Sequence, residues 1–283
     1  MSQSLRPLRS VLYIPGSKSR ALEKARGLAC DAIIFDLEDA VAPDEKAAAR
    51  ETLASALAEG GYGARIKLVR VNGLDTEWGR ADVAAFANAE IDGILIPKVD
   101  SPTDLDMVAA LAPGKPLWAM IETARGVMNA QSIADHAAMS GFIMGTNDLA
   151  KELGSRTRAA MHTALHWSLL AARAAGIACI DGVYNAFKDE EGLRAECVEG
   201  RDFGFDGKTL IHPAQLAIAN EVFAPSDAEI DLSTRQIAAF EEAESSGQGV
   251  AVVDGKIVEN LHVVTARSIL AKAEAIAEME HSA

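Results

Sequence analysis

Two acidic residues sit just beyond apolar stretches of the chain. Glu122 follows 117–121 and precedes Thr123, Ala124, Arg125 and Gly126. Asp148 follows 141–144 and the small and amide residues Gly145, Thr146 and Asn147. An ionised carboxylate in a buried setting is costly unless a cation or a set of donors compensates it. Two carboxylates with such neighbours form a hard, oxygen-rich site suited to Mg2+, with Mn2+ as the other ion it accepts. The chemistry expected there is that of a metal-stabilised enolate. A purely structural alternative pairs the acids with Arg70, Lys98 or Arg125. The close backbone access at Gly145, Thr146 and Asn147 is more than such ion pairing requires.

Arg70 is the next candidate. It lies inside the apolar run 66–72, where an arginine is expensive unless it meets an anion, and its forked donors match a carboxylate. That carboxylate belongs either to a substrate or to Glu38 or Asp39, and both can hold at once. Among the histidines only His162 and His166 stand one helical turn apart, and an outer helix there reads as a wet surface. His212 ends the last apolar run and is expected to bond to a local carbonyl.

These side chains need elements to position them. Short apolar runs recur at 10–15, 32–39, 66–72, 93–99, 117–123, 141–148, 179–185 and 207–213, with helical patterns between them. Most are continuously apolar rather than alternating, as strands covered on both faces are. Eight strands, each followed by a helix, predict an α/β fold, a (β/α)8 TIM barrel, whose strand C-termini carry the site. The polar residues at those ends are Glu38, Asp39, Arg70, Asn72, Lys98, Glu122, Asp148 and Asn185. Ser101, Pro102 and Asp104 mark one helix start, Pro43–Glu45 another, and Gly176 ends a helix expected over 158–175. The barrel is expected over 1–224. A C-terminal extension over 225–283 reads as helix, hairpin turning at Asp254-Gly255, and helix, packed on its own barrel or on a neighbouring subunit.

Composition narrows the function. The 283 residues are 49% hydrophobic, enough for a large core, and the net charge of −14 argues against nucleic-acid binding. Arg6, Arg9, Lys18, Arg20, Lys24 and Arg26 nevertheless form a basic stretch. It reads as a solvated helix face or as a local anion site. Cys30, Cys179 and Cys197 have no metal-type spacing and fit reduced thiols in a cytoplasmic protein. No signal-peptide core is visible and no apolar run approaches the roughly 20 residues a membrane span needs.

Taken in order, several segments resemble the CoA-ester lyases of the citrate lyase beta-subunit and malyl-CoA lyase family, within the HpcH/HpaI aldolase superfamily. They are 9–16, 36–41, 69–73, 96–98, 121–126, 145–149, 207–213 and 254–256. The resemblance implies a TIM barrel with Mg2+ held by Glu122 and Asp148. Arg70 and Glu122 would bind the small acid, while Glu38 and Asp39 act through metal-bound waters. Lys18 and Arg20 would face the CoA phosphates. The implied reaction is reversible retro-Claisen cleavage of a malyl-, methylmalyl- or citramalyl-CoA to acetyl- or propionyl-CoA plus glyoxylate or pyruvate. Partners would be a CoA thioester, a small keto acid and further copies of the chain, as trimer or hexamer.

The sequence departs from the family pattern in its tail. Many relatives offer an aspartate there to the adjacent subunit as acid or base, whereas this chain has the catalytic candidate Glu259, one methylene longer. A shift of about 1 Å at a reacting group matters for rate. A malyl-CoA thioesterase is therefore an alternative, as is a citrate lyase beta subunit acting on a carrier-bound citryl group. A 4-hydroxy-2-oxoacid aldolase ranks lower, because Asp39 stands where that branch has a histidine.

Overall fold

The structure is a computed structural model and describes residues 6–281. Eight parallel strands close into a barrel, as the spacing of the apolar runs predicts. They are β1 (Ser10–Pro15), β2 (Ala32–Asp36), β3 (Ile66–Arg70), β4 (Gly93–Ile96), β5 (Leu117–Ile121), β6 (Met139–Met144), β7 (Ala178–Asp181) and β8 (Gly207–Leu210). Pairing of β1 with β8, Val11 opposite Thr209, completes the ring.

All the strands but β1 are shorter at their C-terminal ends than the apolar runs. Glu38, Asn72, Lys98 and Glu122 stand beyond the ladders, and Asp148 lies in the first turn of the helix Thr146–Leu153 rather than at a strand end. The reason is geometric: loops that turn outward at the barrel mouth leave the ladder while remaining apolar enough to be covered.

Alternate residues fill two cores. Val11, Ala32, Ile34, Leu68, Trp118 and Ile143 belong to one cluster inside the barrel, while Leu12, Ile33, Phe35 and Val69 face the helices. This double burial explains the unbroken apolar runs. Trp118 occupies space that a side chain at position 141 would take: a Cβ on Gly141 would come within 2.4 Å of its ring.

The helices start and stop where their signals stand. Ser101 and Asp104 form a capping box ahead of Pro102–Leu111. The segment read as one helix over 158–175 divides into a 3-10 turn, Arg158–Met161, and the helix His162–Ala175, which ends at left-handed Gly176.

The chain forms two compact units. One is Leu8–Phe223. The other takes the described residues from Ala224 onward, with Arg6 and Pro7. Within this second unit the helices Asp227–Ser245 and Asn260–His281 accompany a hairpin of β9 (Ala251–Val253) and β10 (Lys256–Val258). Asp254 and Gly255 both adopt positive φ, as a two-residue hairpin turn demands. Ala243, Ala251, Val253, Val258 and Val263 make its core. Among the described residues no helix is long and apolar enough to cross a membrane.

Candidate active site

A cavity of about 370 Å³ opens at the C-terminal end of the barrel strands. Tyr13, Asp36, Asp39, Arg70, Glu122 and Asp148 line it, with Gly145, Thr146 and Asn147 on one wall.

Arg70, the last residue of β3, is buried on the inner face. The parallel register sets it directly opposite Asp36, the last residue of β2. Its Nε donates to Asp36 Oδ1 at 2.8 Å and its Nη2 to Asp36 Oδ2 at 2.6 Å. Its Nη1 lies 2.9 Å from Glu38 Oε2 and 3.9 Å from Asp39 Oδ2. Burial alone would lower the Arg70 pKa, but the Asp36 and Glu38 charges hold it well above its ordinary value. The internal partner is thus chiefly Asp36, which the sequence reading did not single out, together with Glu38. Asp36 also accepts from the backbone N–H groups of Glu38 and Ala40, so its carboxylate is saturated.

Glu122 is 2% exposed. Its Oε1 accepts the backbone N–H of Lys98 at 2.8 Å. Lys98 reaches that position in a left-handed conformation, φ 49°, which costs about 1–2 kcal/mol for a non-glycine residue. The same lysine sends Nζ to Glu38 Oε1 at 3.2 Å, so it bridges the two acids. Burial pushes the Glu122 carboxyl up to about 7, with the Lys98 N–H and Arg70 opposing and Glu38 and Asp148 adding. Burial likewise raises Glu38, against the pull of Arg70 and Lys98.

Gly145 preserves the room that Glu122 needs. A Cβ there would fall 2.3 Å from Glu122 Oε2 and 2.4 Å from its Cβ. Asp148 is half-buried, and its carboxylate has no hydrogen bond or ion pair among the described residues.

The charge balance at this end of the barrel has room for a cation. Asp36, Glu38, Asp39, Glu122 and Asp148 bring five carboxylates to this end of the barrel, against the cations Arg70 and Lys98. The excess is negative, so a small anionic substrate would be repelled. Glu122 and Asp148 offer oxygens with no protein cation bound to them, and a divalent ion is what hard, desolvated carboxylates accept. The donor set fits Mg2+. Among the described residues no cluster of three or more His, Cys, Asp or Glu forms a fuller cage, so further ligands would be water or substrate.

Other sequence candidates fall elsewhere. Asn72 holds a loop, donating from its side chain to Leu37 O and Asp82 Oδ2. Asn185 exchanges amide hydrogen bonds with Asn147. The basic stretch is not one patch. Arg9, before β1, is 4% exposed and bonds to Asp31, while Lys18 and Arg20 are exposed beyond its other end. A six-residue strand, about 20 Å long, separates them. Lys18 has Glu45 at 3.6 Å. His212 caps a turn by accepting the Ala214 N–H, rather than bonding to a carbonyl as expected. His162 and His166 pack against Phe203. Glu259 belongs to the second unit, where it is exposed and its backbone N–H donates to His262 Nδ1.

Tyr13 also escaped the sequence reading. A hydroxyl within 10–15, where Ser10 carries the other, was the available signal, yet only the folded barrel brings it beside Arg70 and Met120.

A family model described as HpcH/HpaI aldolase/citrate lyase matches residues 9–213. The chain belongs to this family. A (3S)-malyl-CoA thioesterase of Cereibacter sphaeroides is 69% identical over 285 residues, covering 100% of both chains. An L-malyl-CoA/beta-methylmalyl-CoA lyase from the same species is 34% identical, over 96% of each. The crystal structure of CitE from Mycobacterium tuberculosis in complex with magnesium, acetoacetate and coenzyme A superposes with a TM-score of 0.79 at 28% identity, over 94% of this chain and 97% of that one. The family assignment and the barrel agree with the resemblance read from the sequence motifs. The thioesterase relative favours the hydrolytic alternative over the lyase reading.

Proposed function

We propose that this protein is a Mg2+-dependent thioesterase acting on (3S)-malyl-CoA or a close 3-hydroxydicarboxylyl thioester. The observation that carries this reading is 69% end-to-end identity with a protein of that activity, against 34% with the lyase. The acid-rich cavity supports it, because its lining carboxylates Asp36, Asp39, Glu122 and Asp148, with Arg70, suit a metal-bridged oxyacid.

In this reading Glu122 and Asp148 hold the metal, and Gly145 keeps the space beside Glu122 open. Bound Mg2+ would supply Lewis acidity and the charge that admits an anionic acyl group. Hydrolysis requires water to add to the thioester carbonyl carbon and the carbon–sulfur bond to break. The products are malate and CoA thiol, with one water proton on the departing sulfur. In this reading Asp39, on the cavity wall with its side chain 63% exposed, would accept the other water proton and release it to solvent. Arg70 and Lys98 restrain Glu38 and hold the acidic floor together. Lys18 and Arg20, exposed after β1, would meet the CoA phosphates. Glu259 is the acid that a neighbouring subunit would offer, and its exposure is what that role needs.

The lyase relative motivates a second reading, retro-Claisen release of glyoxylate and acetyl-CoA. Incubating the full chain with malyl-CoA and Mg2+, with thiol and keto acid assayed separately, decides between them. Thiol without glyoxylate is expected. Glyoxylate with acetyl-CoA would overturn the hydrolase assignment, and turnover unaffected by EDTA would overturn the metal.

A further inference from the structure

The cavity floor contains a donor that no step above uses. Tyr13, on the inner face of β1, lines the cavity. Its ring lies under the Arg70 guanidinium, 5.0 Å from carbon to centroid. Its hydroxyl donates to the sulfur of Met120 at 3.4 Å and has no other hydrogen-bond partner among the described residues. A thioether is a weak acceptor, so little is lost when this donor turns to a better one. Burial pushes the phenol's pKa further up, which favours the protonated donor.

Arg70 is the group that charge alone would choose to recognise an acid, yet each of its three nitrogens is already directed at a carboxylate. Nε and Nη2 serve Asp36, and Nη1 faces Glu38. The guanidinium has five N–H groups and these contacts use three, so an arriving carboxylate would share Arg70 in competition with both acids. The tyrosine hydroxyl meets no such competition, because sulfur is its resting partner.

We infer that Tyr13 is a specificity-determining residue whose hydroxyl donates a hydrogen bond to the carboxylate of the short oxyacid end of the substrate. Arg70 then acts behind it, fixing the ring through its face while Asp36 fixes Arg70. The inference rests on the malyl-thioester reading above. It explains how an acid-lined pocket selects a dicarboxylic acyl group over a plain acyl chain.

The test is calorimetric binding of (S)-malate and of succinate, which lacks the hydroxyl, to the full chain with Mg2+. Tyr13→Phe keeps the ring and removes only the donor. A neutral donor lost from a charged acceptor is expected to weaken both ligands about 10- to 100-fold. Weakening of malate alone would assign the bond to the substrate hydroxyl and overturn the inference. Unchanged binding of both would also overturn it. Wild-type protein that binds neither acid would sink the malyl-thioester reading itself, and this inference with it. Thermal unfolding controls for damage. If Tyr13→Phe does not fold, 3-fluorotyrosine at the same position serves instead. Its more acidic hydroxyl should tighten both ligands, and no change would overturn the proposal.

Discussion

Replacing Glu122 by glutamine should make the metal-free protein more stable. The carboxyl is 2% exposed, and its pKa stands at about 7 against an ordinary 4.5. Holding it ionised in the fold therefore costs about 3 kcal/mol. The sign follows from linkage. The folded-state pKa is raised, so the associated stability is full below about pH 4.5 and is lost as pH rises through about 7. Glutamine keeps an oxygen for the Lys98 N–H and never ionises. In EDTA at pH 8 the variant should exceed wild type by about 3 kcal/mol, at roughly 2–4 °C in Tm per kcal/mol. At pH 5 the two should lie within about 1 kcal/mol, since little of the penalty is then expressed. Urea or thermal unfolding at pH 5, 6, 7 and 8 measures the gap. Adding Mg2+ should reverse the order at pH 8, because an ion that binds only the folded wild type stabilises it by mass action. A variant no more stable than wild type at pH 8 without metal would refute the reasoning. A gap that does not narrow toward pH 5 would do the same.

Asp148→Ala should abolish Mg2+-dependent turnover while changing Tm little, because its carboxylate has no partner among the described residues; persistent metal-dependent activity would remove it from the ligand set. Gly145→Ala should weaken Mg2+ binding at least about 10-fold, since the new Cβ would fall 2.3 Å from Glu122 Oε2; wild-type affinity in a titration would mean that Glu122 moves freely. Arg70→Met should cost about 3–5 kcal/mol in urea unfolding, because it strands the buried Asp36 carboxylate; a loss below about 1 kcal/mol would show that pair to be dispensable.

The sequence by itself determined the barrel and brought out Glu122 and Asp148, the two acids proposed to hold the metal. Double burial imposes unbroken apolar runs, and their eightfold count with intervening helices leaves closure as the packing solution. Glu122 and Asp148 were legible because acids and small residues interrupt those runs. Which charges neutralise one another was not legible. Asp36 and Arg70 are 34 residues apart and meet because the parallel register of β2 and β3 aligns their last residues. Asp148 was readable as an acid but not as a helix residue, since a run such as 141–144 marks where a strand is buried and not where it yields to a turn. Tyr13 became part of the floor only when β1, β2 and β3 paired and the closed barrel set its inner face toward Arg70 and Met120. Periodicity along a chain fixes which face of a strand a side chain occupies; its partner across the barrel is set by register and closure, and these exist only once the chain has folded.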